Sequence, residues 1–419
     1  MVDFNSLFST NAHGMKRSEI RELLKIINRP EVISFAGGLP AAKLFPVQEI
    51  REVTDYILET EGRKALQYGS TEGDGRLIKL VIEHMAKDGG IKATADNIIV
   101  VTASQQSLDL VPKILLNPND IVLVEEPSYV GALQAIVSYG AQAVPVAIDK
   151  DGLKMDQLEK TIQDIHKRGD GGRLKMVYTI PDFQNPSGIT MSLERRKALV
   201  ELAEKYNFLI LEDTPYRQLR YTGESVAPIY ALDSYGRTIS LFTFSKIFCP
   251  GFRLGWVVAP KPIIEKLVIA KQATDLCTAP FTQAITYEFL KRGYLDQQIK
   301  KIVVDYREQR DFMLAALERE MPKMEGLTWT KPDGGLFLWV TLPERINTRD
   351  LFHMAIENNV AYVVGDAFHP QGECKNSMRL NFSYPTKEQI DKGIKSLANV
   401  VKIYDENLRK GKVSTTVTP

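Results

Sequence analysis

The chain has 419 residues, long enough for a large core and two unequal domains. Its 53 Lys and Arg against 52 Asp and Glu leave a net charge of +1, which excludes any strong electrostatic pull toward nucleic acid or an anionic membrane. Cys249, Cys277 and Cys374 lie far apart and make no CxxC pair, so neither a zinc ribbon nor a disulfide framework is expected.

The N-terminus carries no continuous apolar signal region, and no apolar run approaches ~18 residues. The five histidines are scattered without HExxH spacing, so no metal site is expected. Together these features predict a protein of the cytoplasm.

In chain order, KRSEIRELLKII near the N-terminus suggests a helix. From about residue 65 to 260, short apolar runs then alternate with amphipathic stretches. NIIVV (97–101), DIVLVEEP (120–127), LKMVYTIP (174–181), NFLILED (207–213), TISLFTF (238–244) and RLGWVVA (253–259) read as strands. Several lack polar alternation, as expected of strands covered on both faces. LERRKALVELAEKY sets Leu199, Leu202, Ala203 and Tyr206 on one stripe behind a Ser192 N-cap. Strand–helix–strand order predicts an α/β domain around a mainly parallel sheet. DGGR at 170–173 reads as a loop inside that domain rather than as a boundary. A long helical pattern at 296–321 leads into GLFLWVTL, AYVVGDAF and SMRLNFS, read as strands of a smaller α+β unit. The expected division is an arm at 1–45, a large domain at 46–305, a small domain at 306–410 and a disordered tail at 411–419.

Four strand ends carry candidate chemistry. After TISLFTF, Ser245 separates the apolar run from Lys246. Burial lowers an amine from its usual pKa of ~10.4 and makes it nucleophilic. The alternative is a lysine whose head reaches back to water. Thr243, Ser245 and Arg253 surround it with hydroxyls and a guanidinium, the groups of a phosphate site. VTASQQSLDL opens a helix after a strand, so backbone N–H groups near Ser104 and Gln105 face an anion; Pro112 within that helix suggests a kink. FLILEDTPY ends a strand on Glu212 and Asp213, where a carboxylate either caps a helix or pairs with a protonated ring nitrogen. IPDFQNPSG places Asn185 in a bend. Each signal alone has an ordinary structural reading, but all four follow strands and converge on one sheet edge.

This set resembles the fold-type I pyridoxal-phosphate (PLP) aminotransferases of class I/II, and most of all the branch with 2-aminoadipate and kynurenine aminotransferases. The matching text runs from SFAGGLP (34–40) through ALQYGSTEG, TASQQSLDL, EEPSYVGAL, PDFQNPSG, EDTPYRQL and TFSKIFCPGFRLGW to SMRLNFS. The resemblance implies PLP as cofactor, covalently held by Lys246, with Asp213 keeping its pyridine nitrogen protonated. Asn185 and Tyr216 match the partners of the ring's phenolic oxygen, and Tyr129 matches the stacked aromatic. Ser104, Gln105, Thr243, Ser245 and Arg253 match the phosphate contacts, Thr243 standing where serine is more usual. Tyr68 matches a tyrosine that reaches the phosphate of a neighbouring subunit, which implies a homodimer with shared sites. Arg379 matches the arginine that grips the substrate α-carboxylate, with Asn185 and Gly38 beside the substrate.

The implied reaction moves an amino group from an L-amino acid to a 2-oxo acid by a ping-pong route, with 2-oxoglutarate the common acceptor. A PLP-dependent lyase is the enzymatic alternative. An amino-acid-sensing regulator is disfavoured, because SFAGGLP begins by residue 34 and leaves no room for a preceding DNA-binding module; a nucleotide-binding Rossmann protein lacks its GxGxxG. Aminoadipate-using relatives hold the side-chain carboxylate with a basic residue in the N-terminal segment. Gly14 falls at that place here, where Lys16, Arg17 or Arg21 could substitute, so the resemblance does not favour a long dicarboxylic donor over aromatic or branched aliphatic amino acids.

Overall fold

The computed structural model of the chain describes residues 2–14 and 31–411. The KRSEIRELLKII helix and most of the GKVSTTVTP tail therefore lie outside the described residues, as do Lys16, Arg17 and Arg21. Gly14 closes a short helix, Thr10–Gly14.

The strands, in chain order, are β1 (Ile33–Ser34), β2 (Ile98–Val101), β3 (Ile121–Glu126), β4 (Gln142–Asp149), β5 (Gly152–Leu153), β6 (Leu174–Thr179) and β7 (Leu209–Asp213). There follow β8 (Thr238–Thr243), β9 (Gly255–Val258), β10 (Thr328–Trp329), β11 (Phe337–Thr341), β12 (Val360–Ala361), β13 (Val363–Val364) and β14 (Ser377–Asn381). Eight of them form one sheet in the order β2-β9-β8-β7-β6-β3-β4-β5. The β4-β3-β6-β7-β8 run is parallel, and β9 is antiparallel to both its neighbours.

The unbroken apolar runs follow from cover on both faces. Val122 and Val124 of β3 join one hydrophobic core while Ile121 and Leu123 join the other. Ile210 and Leu211 of β7 divide the same way. Helix Leu193–Tyr206 packs one of these faces, with Leu199, Leu202 and Ala203 buried, and Ser192 caps it by accepting from Arg195 N at 3.3 Å.

Three segments differ from the sequence reading. QAVPVAID, not among the strands read from the sequence, forms β4; the chain tolerates Pro145 there near the sheet's end, where only the two-residue β5 lies beyond. AYVVGDAF is not one strand: Ala361 ends β12, Val363–Val364 form β13, and a 3-10 turn follows at Gly365–Phe368, where Gly365 lets backbone from Cys374 and Ser377 approach the place a Cβ would take. DGGR contains a 3-10 turn at Gly171–Arg173.

The second sheet is antiparallel, β10-β11-β14-β13. Segment 33–35 is pinned to this C-terminal unit. β1 pairs in parallel with β12, Phe35 N donates to Ala361 O at 2.8 Å, and Asn381 N donates to Phe35 O at 2.8 Å. Residues 36–39 are thereby carried over the C-terminal edge of the large sheet. Among the described residues no helix is long and apolar enough to cross a membrane.

Candidate active site

The parallel strands deliver their C-terminal ends to one edge. In chain terms, β3 leads to Tyr129, β6 to Asn185, β7 ends on Asp213 and β8 leads to Lys246. β3 has β4 on one side and β6 on the other, so successive connections leave it in opposite directions and open a crevice there. A cavity of about 250 Å³ occupies this crevice. Its lining includes Gly38, Ser104, Gln105, Tyr129, Asn185, Asp213, Tyr216, Thr243, Ser245, Lys246, Arg253 and Arg379. Glu212 and Tyr68 stand apart from the cavity: Glu212 is buried and accepts from Ile229 N, Tyr230 N and Ser240 Oγ, the helix-capping alternative, and Tyr68 is 79% exposed on the surface.

Lys246 donates from Nζ to Gly38 O at 2.9 Å and has no carboxylate partner among the described residues. Burial, reinforced by the positive Arg379 and Arg253, brings its pKa down to about 8. The contrast is Lys271, also buried, whose Nζ meets Asp275 Oδ1 and Oδ2 at 2.8 and 2.9 Å and Gln106 Oε1 at 2.9 Å. Lys271 is a paired structural ammonium. Lys246 is an amine left available.

Asp213 is 2% exposed, accepts from Tyr178 OH on Oδ2 at 3.0 Å, and has no hydrogen-bond partner on Oδ1 among the described residues. Burial pushes its pKa up to about 7. An unpartnered oxygen of a buried acid is costly, and a cation bonded at Oδ1 would both satisfy it and hold it ionised.

Arg379 projects from β14, where it pairs in register with Trp339 of β11. It is 2% exposed and forms no ion pair among the described residues. One guanidinium nitrogen donates to Asn185 Oδ1 at 2.8 Å, another to Ala36 O at 2.8 Å, and Nε has no partner among the described residues. Its guanidinium stacks over the Phe337 ring at 4.1 Å. Burial pulls its pKa down to about 10. A buried guanidinium with a free N–H and no acid is poised for an anionic ligand, and a planar carboxylate fits its fork.

At the other end of the cavity lie the anion donors. Ser104 and Gln105 begin helix Ala103–Leu115, which runs on through Pro112. Gln105 Oε1 accepts from Tyr129 OH at 3.2 Å. Thr243 Oγ1 and Ser245 Oγ share a hydrogen bond of 2.9 Å. Arg253 is exposed, donates to Pro250 O at 3.3 Å, and makes no ion pair among the described residues. Both Ala103 and Arg253 hold left-handed backbone, φ +59° and +49°, a cost that persists where surrounding structure over-determines a ligand-clamping segment.

Asn185 and Tyr216 meet across the crevice, Asn185 Nδ2 donating to Tyr216 OH at 3.3 Å. The bend holding Asn185 needs glycine at 188, where φ is +74° and a Cβ would stand 2.7 Å from Phe337 O. A Cβ on Gly38 would stand 3.3 Å from the Phe337 ring.

The class I and II aminotransferase family model matches residues 30–397. The chain belongs to this aminotransferase family. It is 49% identical over 401 residues to aromatic-amino-acid aminotransferase 1 of Thermococcus litoralis, covering 96% of this chain and 95% of that one. It is 38% identical to the 2-aminoadipate transaminase of Thermus thermophilus, over 96% and 98% of the two chains. The solved kynurenine aminotransferase of Pyrococcus horikoshii, in complex with PMP, superposes with a TM-score of 0.92 at 46% identity, covering 96% of this chain and 98% of that one.

Residues around the cavity that sequence reading passed over also contact its lining. Tyr178 looked like strand core, yet its hydroxyl donates to Asp213. Phe337 gave no signal beyond an apolar strand. Gln184 sits beside the motif asparagine and drew no separate notice. Among the described residues no three His, Cys, Asp or Glu side chains cluster as metal ligands.

Proposed function

We propose that this chain is a PLP-dependent aminotransferase that moves the amino group of an L-amino acid to a 2-oxo acid. The observation that carries the reading is one cavity holding, among the described residues, an amine without a counter-ion, a buried acid with an unpartnered oxygen, and a buried arginine with an unpartnered N–H. The orphan Asp213 Oδ1 fits the protonated nitrogen of a pyridine ring. The hydroxyls of Ser104, Thr243 and Ser245, the Gln105 side chain and Arg253 fit a phosphate, and Tyr129 flanks the ring. Asn185 and Tyr216 fit a phenolic oxygen. When bound, the cofactor supplies a carbonyl that condenses with amines and a ring that withdraws electrons from the substrate Cα.

The chain's own residues supply the rest. Arg379 binds the α-carboxylate and so presents Cα and its hydrogen toward Lys246. Lys246 Nζ, displaced from its covalent role by the incoming amine, takes the Cα proton and returns it at the other end of the transfer. Asp213, ionised opposite a cation, holds the ring nitrogen's proton. Release of one oxo acid before the second binds gives ping-pong kinetics.

Aromatic donors are the proposed substrates. Phe337 and Tyr129 line the cavity, and its three cations, Lys246, Arg253 and Arg379, each already have a role, so among the described residues none remains for a side-chain carboxylate. The name of the Thermococcus litoralis relative supports the same class. Tyr68, exposed in the single chain, is proposed to complete the phosphate site of a second copy, which makes the working unit a homodimer. Free Cys249, Cys277 and Cys374 suit the reducing cytoplasm.

The division into arm, large and small domains remains the proposed one. The boundary at 305–306 falls inside helix Tyr294–Glu320, which packs on both Pro280–Lys291 and Lys387–Arg409 and so would serve as the bridge.

A screen of L-amino acids against 2-oxoglutarate, following oxo acid and ammonia together, tests the reading. One oxo acid formed per glutamate with no ammonia is expected, with aromatic donors fastest. Ammonia released in step with oxo acid would replace it by a lyase.

A further inference from the structure

The residue beside Asn185 makes more of its contacts with structure than with the cavity. Gln184 is 2% exposed, and both ends of its amide are fully engaged. Nε2 donates to Glu125 Oε2 at 3.1 Å and to Pro127 O at 2.6 Å. Oε1 accepts from Ser187 N at 2.9 Å and Ser187 Oγ at 2.6 Å. The backbone closes the same bend: Gln184 N donates to Ile189 O at 2.8 Å, and Gly188 N to Gln184 O at 2.6 Å. One side chain thus staples the bend after β6 to the end of β3, across the crevice in which the cavity lies.

Its anchor, Glu125, is 1% exposed and takes donors on both oxygens, Thr179 Oγ1 at 2.5 Å and Ile180 N at 3.1 Å besides Gln184. No lysine or arginine pairs with it among the described residues. A buried carboxylate without a counter-ion is expensive unless hydrogen bonds hold it, and what these bonds hold is the bend.

Asn185 needs that bend held, because its amide is read from two sides with opposite polarity. Its oxygen accepts from Arg379 and its nitrogen donates to Tyr216. Turned over, the amide would set its NH₂ against the guanidinium. Asn185 therefore joins the carboxylate-binding arginine to the groups at the phenolic oxygen, and its geometry is fixed one residue away. We propose that Gln184, clamped by Glu125, is a positioning residue of the reaction, setting the Asn185 amide for Arg379 and Tyr216 at once. This inference rests on the aminotransferase reading above.

The test compares Gln184→Met and Glu125→Leu, which remove the polar staple at similar volume, with Glu125→Gln. A glutamine at 125 keeps an acceptor for Ile180 N and Gln184 Nε2 and offers its NH₂ to the Thr179 hydroxyl. For each variant, KM and kcat, the pH midpoint of the bound cofactor's visible absorbance, and the melting temperature of the cofactor-free chain are measured beside the wild type. In Gln184→Met and Glu125→Leu, KM for donor and acceptor is expected to rise roughly tenfold or more, the loss of one charge-assisted hydrogen bond. The absorbance midpoint is expected to move by about one pH unit. Glu125→Gln should restore both to near wild type.

Ser187→Ala, which removes one hydrogen bond to the Gln184 amide and little packing, is expected to move both readouts the same way in smaller measure, and serves where the larger substitutions do not fold. A lowered melting temperature with unmoved KM and midpoint would make Gln184 merely structural and overturn the inference. A wild type with neither turnover nor cofactor absorbance would instead overturn the aminotransferase reading.

Discussion

Lys246→Ala is expected to abolish transamination, lowering turnover by roughly 10⁴-fold or more, since both the covalent anchor and the proton carrier are lost. The fold should survive. The substitution removes an amine that, among the described residues, neutralises no acid and bonds only to Gly38 O. The sign of its pH behaviour follows from the same environment. With a pKa brought down to about 8, the amine of the cofactor-free wild type is neutral above that pH, so its labelling by an acylating reagent should rise through pH 8. An ordinary lysine would begin to react about two units higher. Lys271 should stay unlabelled across this range, because Asp275 and Gln106 engage its ammonium. Steady-state assays of the variant, with peptide-level labelling of the wild type, check both statements.

Arg379→Gln carries the second large effect, and its signature is a separation of activity from stability. Removing one partner of a buried charged pair costs about 2–5 kcal/mol, so kcat/KM for the amino donor should fall roughly 10²- to 10³-fold. Among the described residues, however, Arg379 is buried without an acid and with Nε unpartnered, at a cost offset by the rest of the fold. A neutral glutamine relieves that cost. The melting temperature of the cofactor-free variant is therefore expected to equal or exceed that of the wild type. A large drop in melting temperature with unchanged kcat/KM would place Arg379 among structural arginines such as Arg196. That residue, on helix Leu193–Tyr206, is buried against Asp182 at 2.8 Å and also donates to the Pro181, Met191 and Ala227 carbonyls. Arg379→Lys should not rescue, because an ammonium cannot offer the planar fork.

The strands were legible wherever a residue's role was local. Apolar runs without alternation signalled a sheet covered on both faces, and the two cores now account for that pattern, with Val122 and Leu123 feeding opposite sides. β4 was not read from the sequence; it carries Pro145, whose missing N–H is tolerated only because the strand lies near the sheet's end. Gly365 broke AYVVGDAF for a reason visible only in three dimensions, the close approach of the Cys374–Ser377 backbone.

In the site, residues that follow strand ends were readable because a parallel sheet gathers those ends at one edge. What was hidden depended on pairings across long stretches of chain. Glu125 meets Gln184 and Tyr178 meets Asp213 across 59 and 35 residues. The Arg379 contact to Ala36 spans 343 and exists only because β1 pairs with β12. No local spacing announces such meetings.

The most direct test of Lys246 as the reactive amine is chemical. Wild-type chain loaded with pyridoxal phosphate is treated with borohydride, digested, and mapped by mass spectrometry for the phosphopyridoxyl group. The label is expected on the peptide containing Lys246 and on no other. A label on Lys271 or another lysine, or a folded chain that takes up none, would contradict the reading at its centre.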